Sequence, residues 1–166
     1  MLEKDEMESI NNGWSVILIL WLAMFISLAV YVFVGHMVGE KVTIFLGGDS
    51  SLGILRGILY GISIATLFLT KYMRNLLLKS EKGSFQTRNQ INQHPAVAKY
   101  ITAVVVSLAM SESIGIYGLV LFFLGKNTMD LYSLILLSAV AMFYYRPKKE
   151  ELFNVAQTLK IREAIG

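Results

Sequence analysis

Glu112 is the one carboxylate in a long apolar stretch, Tyr100 to Gly125, and hydroxyl residues stand close to it. Ser111 and Ser113 flank it, and Tyr117 lies five positions on, a little over one helical turn away. A charge near the middle of a membrane helix costs roughly 2.5–3.5 kcal/mol on insertion scales. Oxygens around a desolvated carboxyl offset that cost in one of two ways. They hold the neutral acid, which burial favours, or they complete the shell of a small hard cation. The plainer alternative is a protonated glutamic acid that only hydrogen-bonds between helices. Glu112, Ser113 and Tyr117 are thus the candidate ion-binding residues. Arg56 is the other full charge inside an apolar stretch. It is expected about one turn inside its helix, where an Arg reaches back to the interface, and it is the candidate charge partner of Glu112.

Membrane helices must position these groups. The chain has 166 residues, of which 55% are hydrophobic and only 16% charged, well outside the usual globular balance. A spanning helix needs about 20 mainly apolar residues. The sequence predicts spans at about 14–38, 52–72, 97–125 and 128–146 of a single integral membrane domain covering 1–166. The fold class is all-α, with four transmembrane helices. The opening residues, "MLEKDEMES", are acidic and no small-residue cleavage site follows the first apolar run, so a cleaved leader is not expected. Without cysteine there is no disulfide, thiol chemistry or covalent haem. His36 and His94 stand apart from other ligating residues, and no phosphate loop or nucleophile–base set appears. No cofactor, no metal and no enzymatic activity are expected.

Lys and Arg content orients the spans. The segment 73–96 holds Arg74, Lys79, Lys82 and Arg88, and the tail 147–166 holds Lys148, Lys149, Lys160 and Arg162. Alternation puts both basic segments on one side, which makes them a cytoplasmic loop and a cytoplasmic tail. The N-terminus then also lies in the cytoplasm. The expected location is the inner (plasma) membrane of a bacterium or archaeon, crossed several times. The net charge of +3 serves this orientation rather than nucleic-acid binding. Gly47 and Gly48 before Asp49, Ser50 and Ser51 suggest a turn leading to a helix N-cap. In the tail, Leu152, Val155, Leu159 and Ile165 have roughly helical spacing, suggesting either a short amphipathic surface helix or a frayed end.

Gly53, Gly57, Gly61 and Ala65 fall four apart on the second span, and Ser107, Ser111 and Gly115 do so on the third. Small residues at this spacing let backbones approach where lipid gives no hydrophobic drive for association. Both stripes are expected to pack, within one hairpin or between subunits.

The stretch "HPAVAKYITAVVVSLAMSESIGIYGLVLFFLG" resembles the outer helix of subunit c, the proteolipid of rotary ATP synthases. That helix follows a polar loop ending in Arg-Gln-Pro and carries a Glu followed by I-Y-x-L-V. The matching residues are Asn92, Gln93, His94 and Pro95, then Glu112, Ile116, Tyr117, Leu119 and Val120. The resemblance implies that Glu112 carries the ion, Ser113 ligates it or donates to it, and Tyr117 holds the carboxylate in a locked form. It covers about residues 52–125; the first and fourth spans have no counterpart. No Gln lies between Leu52 and Thr70, where sodium-binding members place one, so the expected ion is a proton rather than sodium. A fourth helix returning straight after Gly125 is expected to pack beside the third and to cover Glu112.

The expected function is therefore a proteolipid-like membrane subunit of an oligomeric complex, with Glu112 binding and releasing protons in ion translocation. Its partners would be the lipid bilayer, further copies in a homo-oligomer or ring, and other membrane subunits. The alternative is a scaffolding subunit of a larger membrane complex, with Glu112 a purely interhelical hydrogen-bonding group.

Overall fold

Pro95 and Pro147 are the two prolines of the chain, and both mark helix boundaries. The computed structural model describes residues 4–39, 49–79 and 95–163. These form five helices: α1 (Lys4–Gly39), α2 (Asp49–Lys79), α3 (Pro95–Gly125), α4 (Thr128–Tyr144) and α5 (Lys149–Glu163). Pro95 opens α3, where its missing N–H belongs to a turn without intrahelical acceptors. Pro147 lies in the elbow between α4 and α5, whose axes bend by 49°. No strand occurs among the described residues.

Three helices, α1, α2 and α3, are long and apolar enough to cross a membrane. With 17 residues, α4 is about 26 Å long. It reaches spanning length only together with α5 across their bend, which brings the candidate spans to four at most. Such a set of apolar helices is compatible with a multi-pass integral membrane protein. α2 runs on to Lys79, past residue 73 where a loop was expected, because nothing in "MRNLLLK" breaks a helix and Arg74 finds partners. The Gly47–Gly48 turn and residues 80–94 lie outside the described residues.

The central element is α3. In its most apolar window 44% of residues are buried, against 11% in α1 and 6% in α2, so the other helices surround it. At the α5 end, Ile10 and Ile17 of α1, Tyr100 and Leu108 of α3, Met142 of α4 and Leu152 of α5 form one cluster. At the opposite end, Ile114 and Leu121 of α3 and Leu134 of α4 are covered by Leu55, Leu59 and Tyr60 of α2. Side-chain packing of this kind, with interhelical hydrogen bonds, is what associates helices in lipid.

Glycines set two of the close approaches. A methyl group on Gly118 would lie 2.9 Å from Leu134 Cβ and 3.2 Å from the Leu131 carbonyl, so α3 and α4 meet nearly backbone to backbone there. In α1, Gly13 and Gly39 leave room for Val97 and Phe122 of α3. The α3–α4 turn is tight: Lys126 adopts φ 52° and its N–H donates to Phe122 O at 2.8 Å. Asn127 caps α4 by accepting from Met129 N at 2.9 Å. Lys126 Nζ also donates to Gly39 O, tying the end of α1 to this turn.

From Lys149 to Glu163 the tail is helical and packed rather than frayed, and Ile165 lies outside the described residues. Leu152 and Ala156 of α5 are fully buried, with Val155 and Leu159 beside them. Tyr100 of α3 holds the helix start: its hydroxyl accepts from Lys148 N at 2.8 Å and lies 3.1 Å from Glu151 Oε2. Arg74 of α2 completes the join, donating to Tyr145 O at 3.1 Å and pairing with Glu151 at 2.5 Å.

Candidate functional site

Glu112 lies mid-way along α3 on the side that faces α1. Tyr31 donates to its Oε1 at 2.7 Å and Ser27 Oγ lies 2.5 Å from the same oxygen. Ser27 and Tyr31 are four apart on α1, so helical geometry stacks them on one face. That face meets α3 because α1 packs closely along it at Gly13 and Gly39. Among the described residues no donor reaches Oε2. Ser27 Oγ also lies 2.6 Å from the Met24 carbonyl. One serine hydroxyl carries one hydrogen, yet here it stands between two acceptors.

The local residues expected at this site point elsewhere. Ser113 donates to Met110 O at 2.7 Å within its own helix. Tyr117 packs against the Ile114, Leu121 and Leu134 cluster with α2. The oxygens that meet Glu112 come from the first span, which the hairpin resemblance left without a counterpart. Nor is it the fourth helix that supplies them. The signal was present as two hydroxyls one turn apart in a stretch, Trp14 to Gly39, that holds no Asp, Glu, Lys or Arg.

Arg56 does not pair with Glu112. Its Nε and an outer nitrogen lie 2.8 and 2.7 Å from Asp130 Oδ2, and Tyr60 donates to Oδ1 at 3.3 Å. α2 begins at Asp49, which sets Arg56 level with the start of α4, where Asp130 occupies the first turn. Asp130 is buried, and beside the pair is a cavity of 280 Å³ walled by Leu52, Gly53, Leu121 and Gly125. This second polar site was unmarked in sequence, because no spacing rule brings Arg56 and Asp130 together across 74 positions.

The two small-residue stripes do not face one another. A methyl group on Gly53, Gly57 or Gly61 would touch nothing within 4 Å, and Ala65 is exposed. The packed face of α2 carries Leu55, Leu59, Ser63 and Leu67, two residues on from the stripe. Two residues are about 200° of helical rotation, so the glycines point outward. The α3 stripe does pack. Ser107 and Ser111 are buried, each donating to the carbonyl four residues back, while Ser138 of α4 donates to Ser111 O at 2.6 Å. Gly115 lies under Leu28 of α1 and beside Ser138.

Among the described residues no three His, Asp or Glu side chains converge as metal ligands. No protein-family model, curated protein or solved structure matches this chain.

Proposed function

We propose that the protein is a four-span membrane subunit, both termini cytoplasmic, of an oligomeric ion-translocating complex. Its Glu112 binds and releases a proton, the chemistry of a proteolipid. The supporting observation is the hydroxyl count at Ser27. With a proton on Oε1, Glu112 donates a hydrogen bond to Ser27 Oγ and Ser27 donates its own hydrogen to Met24 O, so that each acceptor has a donor. Tyr31 still donates to Oε1 in that arrangement. A neutral acid also avoids the cost of a charge at this depth. The outward stripe of Gly53, Gly57 and Gly61 offers further copies a close-packing surface. A proton would leave once Ser27 and Tyr31 part from the carboxyl, which makes α1 the gate in place of a rotor turning past a stator.

The scaffold reading has one observation in its favour: both of Glu112's partners belong to the same chain. Carbodiimide modification of the protein in lipid vesicles separates the two. A proton-exchanging Glu112 is modified, increasingly so at low pH, and Glu112→Gln abolishes the product seen by peptide mass spectrometry. If Glu112 stays unmodified at low pH in folded protein, the carboxyl is a sealed interhelical bond and the scaffold reading stands.

A further inference from the structure

Beyond Glu112, the α5 end of the bundle carries a crevice of about 610 Å³ between α1 and the α4–α5 elbow. Its walls are Trp14, Trp21 and Phe143, and its rim carries Arg146, Lys148 and Lys149. Both tryptophans of the chain are therefore in this one place. Trp21 is fixed by donating Nε1–H to Met142 O at 3.1 Å. The Arg146 guanidinium lies 5.4 Å above the Phe143 ring and Lys149 Nζ 5.9 Å from the Phe153 ring. These contacts hold the side chains without using up their N–H donors. Among the described residues none of Arg146, Lys148 and Lys149 has a carboxylate partner. Glu150 also borders the crevice, leaving three cations against one carboxylate.

We propose that this crevice is a binding site for one anionic phospholipid of the adjoining leaflet, its phosphate on Arg146, Lys148 and Lys149 and its acyl chain against Trp14, Trp21 and Phe143. The charge complementarity selects the occupant: a net positive rim above an aromatic, lipid-facing wall matches a molecule that is anionic at one end and apolar along its length. Basic pockets between membrane helices recognise headgroups in this way. Indole rings favour the same depth, where the apolar core meets the headgroups. A second copy of the chain is a poorer match, since it would bring the same cations to the same level.

The two tryptophans make the test direct. The full chain is reconstituted in phosphatidylcholine vesicles containing a small fraction of dibrominated phosphatidylglycerol, or of dibrominated phosphatidylcholine, and quenching of tryptophan emission is measured. The site predicts quenching by the anionic lipid at about fivefold lower fraction or less. The triple variant Arg146→Gln, Lys148→Gln, Lys149→Gln brings the two lipids level. Lys71→Gln, exposed on α2 at the same end, leaves the wild-type difference intact. Equal quenching in the wild type overturns the proposal. So does a difference that Lys71→Gln reduces as much as the triple variant, which is diffuse surface charge. Emission that ignores both lipids but shifts as protein density rises overturns it in favour of a second copy.

Discussion

Tyr31 donates its hydroxyl to Oε1 of Glu112 at 2.7 Å, joining two helices across 81 positions of sequence. Interhelical hydrogen bonds in membranes contribute about 0.6 kcal/mol on average and about 1.7 at most. That is too little to hold α1 against α3, which side-chain packing does. It is enough to fix which way the carboxyl points. The bond therefore bears on the chemistry of Glu112 more than on the stability of the fold.

Tyr31→Phe separates these roles. It keeps the ring and deletes the donor, so unfolding in mixed micelles should show a loss of about 1 kcal/mol. Carbodiimide modification of Glu112 should rise several-fold because the carboxyl is released from one of its two holders. Modification that falls or stays level would mean that Tyr31 does not restrain it.

Infrared spectroscopy reads the proton itself. The carbonyl stretch of a protonated carboxylic acid should be present in the wild type and missing in Glu112→Gln. Ser27→Ala removes a partner of Oε1 and should shift that band while leaving it visible. A wild-type spectrum that matches Glu112→Gln at every pH in this region would leave no proton on the site.

Two glycine substitutions should diverge although both sit in apolar helices. Gly118→Ala drives a methyl into Leu134 Cβ and the Leu131 carbonyl, backbone-anchored groups that cannot swing aside. Overpacking of that kind costs about 1–3 kcal/mol. Gly57→Ala meets open space in the single chain and should leave its unfolding in dilute micelles unchanged. If copies pack through that stripe, Gly57→Leu instead lowers the oligomer mass in lipid nanodiscs or by cross-linking.

Arg74 and Glu151 should behave as a coupled pair. Arg74 is buried and donates to both the Tyr145 carbonyl and Glu151. Arg74→Gln should cost about 1.5–3 kcal/mol, the range for hydrogen bonds to charged groups. In a double-mutant cycle with Glu151→Gln the two losses should be clearly less than additive. The same variants should expose α5 to trypsin sooner, which limited proteolysis would detect.

Helix positions were legible because their signals are local. Pro95, Gly125, Asn127 and Pro147 punctuate the chain, and the apolar runs between them are long. The site was half legible: Glu112 stands out by type, but its partners depend on how α1 is rotated and pressed against α3. That rotation follows from Gly13 and Gly39 leaving room for Val97 and Phe122, contacts between distant stretches that no spacing rule encodes. The same holds for Asp130, whose role appears only once α2 brings Arg56 beside it. The α2 glycines misled in the opposite direction, since regular spacing marks a smooth face without saying what lies against it.

The turn of Lys126 and Asn127 allows little slack between α3 and α4. Ser138 on the Ser111 carbonyl closes these two helices into one hairpin. α1 precedes them from the ribosome by more than fifty residues. Ser27 and Tyr31 thus precede Glu112 in the order of synthesis, so both partners of the carboxyl are made before it.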